Sequence, residues 1–244
     1  MIEIIPALDI MSGKCVRLSQ GDFLRQKVYD IDPLDMAKQY EAIGIKRLHI
    51  VDLDGAKSGS LKNLDTLRRI ATGTSLTVDY GGGIRTGRDV AAVFDAGAAM
   101  INISSIAITQ PQMLTEWIQT YGADSILLGA DVKNELVAVN GWLKETSVSL
   151  FSFLEDNRNK GVAHFFCTDI AYDGMLAGPA FGLFARITSC YPNLHFIASG
   201  GVANLQDITE LQNIGCKGVI IGKAIYEGLI TLMELEKYIV DGAN

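Results

Sequence analysis

The stretch Val78-Asp79-Tyr80-Gly81-Gly82-Gly83-Ile84-Arg85-Thr86 (VDYGGGIRT) sets three glycines between an apolar run and a helix start. Residues Ile197-Ala198-Ser199-Gly200-Gly201-Val202-Ala203-Asn204 (IASGGVAN) repeat that arrangement later. Each run ends on glycines and then on a capping residue, Thr86 or Asn204, with an acid three positions further on at Asp89 or Asp207. The pattern is a strand, a sharp turn and a capped helix.

Outward from these two stretches the same alternation recurs. Short apolar runs at 2–8, 47–51, 76–78, 100–103, 126–130, 163–167, 195–198 and 218–221 are each followed by a turn and a segment with helical spacing. Asp32-Pro33-Leu34-Asp35 starts one of these helices, with Met36, Tyr40 and Ile43 along one face. Runs apolar on both faces belong to a parallel sheet covered by helices. Eight such units in 244 residues, with no Pro-, Gly- or Ser-rich linker, predict a single-domain α/β chain over 1–244, a (β/α)8 TIM barrel.

The chain also resembles itself. An offset of 118 residues carries Gly82 onto Gly200 and Ser104-Ser105 onto Gly222-Lys223, and an offset of 122 carries Asp9 onto Asp131. This predicts two similar half-barrels, roughly 1–122 and 123–244. Units four apart stand on opposite sides of an eight-stranded ring, so Asp9 is expected to face Asp131 and the Gly82 loop to face the Gly200 loop.

Sites on this fold lie at the carboxyl ends of the strands. A charge directly after a buried strand must meet water, a partner or a ligand. Asp52 and Asp79 fit equally a carboxylate that caps its loop and one that meets a ligand. Asp9 and Asp131 together point to chemistry, because two carboxylates across a mouth can divide acid and base roles. Glycine turns that lead into capped helices expose backbone N–H groups to anions. Gly82, Gly83, Ser104 and Ser105 on one side, with Gly200, Gly201, Gly222 and Lys223 on the other, predict two opposed phosphate grips. The ligand expected is a small molecule with a phosphate at each end.

A net charge of −7 and a pI near 5.0 exclude a basic nucleic-acid surface. The longest apolar runs fall well short of the roughly 20 residues that span a membrane. Cys15, Cys167, Cys190 and Cys216 form no C-x-x-C pair, and no signal peptide precedes the first run. A reduced, cytoplasmic protein without a structural metal is expected. His49, His164 and His195 each sit in or beside an apolar run and read as hydrogen-bonded structural histidines.

The segments IPALDIMSGKCVRLSQGDF (5–23), HIVDLDGAKSG (49–59), DYGGGIRT (79–86), TDIAYDGM (168–175) and ASGGVANLQDI (198–208) resemble the histidine-biosynthesis isomerase family that acts on phosphoribosylformimino-aminoimidazole carboxamide ribotide, ProFAR. The likeness covers nearly the whole chain. A sister family, the cyclase of imidazole glycerol phosphate synthase, typically carries a cysteine two residues before the first aspartate and lysine in place of Arg17. Ala7 and Val16-Arg17-Leu18 favour the isomerase.

The resemblance implies an Amadori rearrangement of an aminoaldose to an aminoketose by a monomer that needs neither cofactor nor metal. It makes Asp131 the general acid on the ribose ring oxygen and Asp9 the base at C2′. It places Thr168 on the sugar hydroxyls, Asp173 near the reacting ribose with Asp52 also touching substrate, and Gly174 among the phosphate contacts. Arg17 is expected to reach a phosphate or order a loop, and Trp142 to stack on the imidazole. Ser104-Ser105 departs from the usual Gly-Thr or Gly-Ser pair, which predicts a modified grip lacking easy access to positive φ. Two other readings follow: a dual isomerase that also converts phosphoribosylanthranilate, and a non-catalytic barrel that binds phosphorylated ligands. The segment from Leu18 to Asp32 reads as a long loop suited to a lid.

Overall fold

The computed structural model describes residues 1–19, 22–139, 141–142 and 144–242. Eight parallel strands close a ring: β1 (Glu3–Met11), β2 (Arg47–Asp52), β3 (Thr77–Gly81), β4 (Met100–Ile103), β5 (Ile126–Lys133), β6 (His164–Asp169), β7 (His195–Ser199) and β8 (Gly218–Ile221). Each pairs with the next, and β8 returns to β1 in the register Glu3↔Gly218. Helices follow every strand, which makes the fold a (β/α)8 barrel.

The near-continuous hydrophobicity of the strands resolves into two layers by parity. Ile4, Leu8, Leu48, Ile50, Leu128 and Phe165 face the helices, while Ile5, Ala7, Met100, Leu127, Phe166, Ile197 and Ile220 fill the barrel interior. Each fully buried Leu or Ile contributes about 1.5–3 kcal/mol. The helix starts follow the capping chemistry of the sequence. Asp32 accepts from the Leu34 N–H at 2.9 Å with Pro33 at the first helical position. Thr86 with Asp89, and Asn204 with Asp207, form reciprocal capping boxes.

Two strands run further than their apolar patterns. β1 continues to Met11 because Asp9, Ile10 and Met11 pair with Val16, Cys15 and Lys14 of an antiparallel hairpin, Lys14–Ser19 with Asp22–Val28. The expected long loop from Leu18 is therefore largely a hairpin; Gln20 and Gly21, between its strands, lie outside the described residues. β5 likewise runs to Lys133 and leads into a hairpin of Leu136–Val139 and Lys144–Ser149. Asp9 and Asp131 thus sit within extended strands. Among the described residues no helix is long and apolar enough to cross a membrane.

At the opposite end of the barrel the His164 and His195 rings meet edge-on at 4.7 Å. His164 Nε2 contacts Asp124 at 3.2 Å, while the buried His195 Nε2 has no hydrogen-bond partner among the described residues. Burial, His164, Arg47 and Lys217 all disfavour a charged His195, pushing its pKa down to about 4. Unfolded, the ring takes a proton near pH 6.5, so its contribution is present above that pH and is lost as the pH falls towards about 4. The denaturation midpoint of the native protein is expected to drop over this window by more than that of His195→Asn; equal drops would count against it.

Candidate active site

The carboxyl ends of the strands surround a cavity of about 500 Å³. Asp9 from β1 and Asp131 from β5, four strands apart in the ring, both line it. Arg17, on the first hairpin, donates from Nη1 to Asp9 Oδ2 at 3.0 Å and from Nη2 to both carboxylate oxygens of Asp173 at 3.0 and 3.1 Å. The hairpin carrying Arg17 is anchored where Tyr29 stacks on Tyr226 at 4.4 Å and Lys27 pairs with Glu227 at 2.9 Å.

The two carboxylates have different surroundings. Burial raises the proton affinity of Asp9 and Arg17 opposes the shift. Burial raises Asp131 to about 6, with hydrogen bonding from Trp142 and Thr168 pulling it back. Among the described residues no ion pair forms with Asp131. Thr168 is its register neighbour on β6. Trp142, at a left-handed φ of 71°, also lines the cavity; Asn140 and Leu143 beside it lie outside the described residues.

Asp52 is not part of the cavity wall. Its buried carboxylate accepts from the N–H groups of Gly55, Lys62 and Asn63 at 2.8, 2.7 and 3.0 Å, from Asn63 Nδ2 at 2.6 Å and from Tyr80 OH at 2.8 Å. Five donors occupy its acceptor positions, so it holds the loop after β2. Asp79 is also internal: it accepts from Arg47 Nε at 3.0 Å and Asn102 Nδ2 at 2.9 Å and lies 2.5 Å from His49 Nδ1. Burial alone would raise Asp79, but His49, Arg47 and Asn102 outweigh it and hold it below the usual carboxylate range.

The glycine pairs match across the barrel. Gly82 and Gly83 have φ of 98° and 83°, and Gly200 and Gly201 have 89° and 84°. A Cβ on Gly82 would lie 2.2 Å from the Asp52 carbonyl oxygen, and one on Gly201 would lie 2.3 Å from that of Gly178. Only glycine fits the left-handed backbone and the close approach at both places. All four line the cavity, as do Ser104, Ser105, Gly174, Gly222 and Lys223.

Ser104 does not need the positive φ that glycine would give. Its φ and ψ of −133° and −67° resemble those of Gly222 in the other half, −110° and −83°. Serine therefore replaces glycine here at a negative φ.

Two titratable cavity residues fall outside the sequence-based candidates. Arg85 lines the wall directly after the Gly82-Gly83 turn, and its place behind that turn was the available signal. His49 is buried and bonded to Asp79, as a structural histidine would be, yet it also lines the cavity and packs edge-on against Phe166 at 5.3 Å. Its parity with Val51, opposite to that of Leu48 and Ile50, directs it inward. Among the described residues no group of three or more His, Cys, Asp or Glu side chains is placed to hold a metal ion.

Residues 3–231 match the family described as histidine biosynthesis protein. The chain is 51% identical over 239 residues to the Bacteroides thetaiotaomicron protein named 1-(5-phosphoribosyl)-5-((5-phosphoribosylamino)methylideneamino)imidazole-4-carboxamide isomerase, covering 98% of this chain and 100% of that one. Relatives of the same name from Flavobacterium psychrophilum, 48% identical over 240 residues, and Phocaeicola vulgatus, 50% over 238, are covered to the same extent.

Proposed function

The chain belongs to the histidine biosynthesis protein family, and from that premise we propose that Asp131 and Asp9 carry out its reaction as acid and base. It is an isomerase of histidine biosynthesis that turns the aminoaldose ProFAR into the corresponding aminoketose. The observation that carries the assignment of roles is the contrast between two carboxylates on one cavity. Asp131 is held near about 6 with no ion pair among the described residues, and Asp9 is bonded to Arg17. A carboxyl whose proton affinity is raised suits the acid, and one whose ionised form a guanidinium stabilises before the substrate arrives suits the base.

Asp131 gives its proton to the ribose ring oxygen as the bond to C1′ opens, leaving an iminium at C1′. Asp9 then removes the C2′ proton, and the enolamine formed takes a proton at C1′ and loses one from the C2′ hydroxyl to give the ketone. Thr168 orients the sugar hydroxyls, Trp142 stacks on the imidazole, and Asp173 lies near the ribose. One phosphate is held by Gly82, Gly83, Ser104 and Ser105. The other is held by Gly174, Gly200, Gly201, Gly222 and Lys223.

We also read 1–244 as one domain that arose by duplication of a half-barrel. The paired capping boxes, the paired left-handed glycines and the hairpins after β1 and β5 support this. The reading includes a cytoplasmic monomer with a bis-phosphorylated substrate and with no nucleic-acid or membrane partner.

The pH profile of kcat/KM tests the assignment. Asp131 must be protonated and Asp9 ionised, so kcat/KM is expected to fall as the pH rises above about 6 and to fall again at low pH as Asp9 takes a proton. An Asp131→Asn variant whose residual activity keeps the alkaline limb would overturn it. Phosphoribosylanthranilate, assayed alongside ProFAR, measures how far the site admits the second substrate.

A further inference from the structure

The phosphate grip beside β8 is connected to the reaction centre by an unbroken chain of contacts. Lys223 Nζ donates to the Gly174 carbonyl oxygen at 2.6 Å. One residue earlier, Asp173 accepts both of its bonds from Arg17 Nη2, and Arg17 Nη1 holds Asp9. The same guanidinium borders the grip itself: a Cβ on Gly222 would lie 3.1 Å from Arg17 Nη1. Arg17 therefore bonds to the base and to the loop after β6 and borders the backbone at Gly222.

We propose that Lys223 and Arg17 are positioning residues through which the phosphate at Gly222 activates the reaction as well as anchoring the substrate, by drawing both cations towards itself and releasing Asp9. This rests on the isomerase reading above. Lys223 is engaged here with a neutral carbonyl, so a phosphate dianion beside Gly222 is a stronger partner for it, and the same dianion competes with the single charge of Asp9 for Arg17 Nη1. A base whose Oδ2 accepts from a guanidinium is a poor acceptor for a carbon-bound proton. Moving Arg17 away frees that oxygen and strengthens the base. Binding energy from a non-reacting part of the substrate is then expressed in turnover.

The test uses substrates from which one or the other phosphate has been removed, with phosphite dianion added separately. Phosphite is expected to raise the turnover of the substrate lacking the β8-side phosphate by about tenfold or more in the native protein. In Lys223→Met that activation is lost, and with intact substrate kcat falls by a larger factor than KM rises. Thermal melting of the variant checks that it folds. Phosphite that competes with substrate for the site but gives no acceleration overturns the proposal, as does a Lys223→Met variant changed in KM alone. Failure of the native protein to isomerise intact substrate instead overturns the isomerase reading, so the two failures are distinguishable.

Discussion

Asp9→Asn and Asp131→Asn are each expected to lower kcat by about 10²–10⁴-fold while leaving the barrel folded. Asparagine keeps the volume of the side chain and removes only its capacity to exchange a proton. At Asp131 the folded state should gain stability near neutral pH. A carboxyl raised to about 6 by burial is ionised there at a cost, which the amide avoids. At Asp9 the amide leaves Arg17 with Asp173 as its remaining ion partner. Because the two groups serve one proton inventory, the double variant should lose far less than the product of the single losses. Steady-state turnover and thermal melts on the three proteins check both statements. Near-normal turnover in either single variant would remove that residue from the mechanism.

The largest expected effect on stability is at Asp79. Its carboxylate is inaccessible to solvent and is the shared acceptor for Arg47, His49 and Asn102. Asp79→Ala leaves the buried Arg47 guanidinium and His49 without that partner, and breaking a buried pair from one side costs about 3–5 kcal/mol. At this chain length that corresponds to a fall in Tm of about 6–20 °C. Denaturant titration of the variant measures it, and a loss below about 1 kcal/mol would show that the network does not carry the β2–β3 junction.

The barrel was legible because its strands are apolar on both faces: Leu48 and Ile50 pack under the helices while Ala7 and Leu127 fill the interior. The hairpin after β1 was not. Its strands carry Lys14, Arg17 and Lys27, so no continuous apolar run marks them, and they are held by pairing to the end of β1 and to each other.

Asp9 and Asp52 present the same signal, an acid at the end of an apolar run, and meet opposite surroundings. Gly55, Lys62, Asn63 and Tyr80 close around Asp52, whereas Asp9 is left at the cavity with Arg17. Which donors converge on an acid depends on how distant loops fold back, so strand-end position alone cannot separate the two. His49 shows a related limit, since a histidine in an apolar run can be both bonded within the core and part of a cavity wall. Ser104 looked like a loss of backbone freedom, but the freedom it lacks is not used at that position.

The most direct test of the proposed site is a crystal structure of Asp9→Asn with unreacted substrate. The account predicts one phosphate at Gly82, Gly83, Ser104 and Ser105 and the other at Gly200, Gly201, Gly222 and Lys223. It also predicts the Asp131 carboxyl within hydrogen-bond reach of the ribose ring oxygen and residue 9 nearest C2′. A substrate whose ring oxygen lies beyond reach of Asp131, or whose phosphates occupy neither pair of loops, would contradict it.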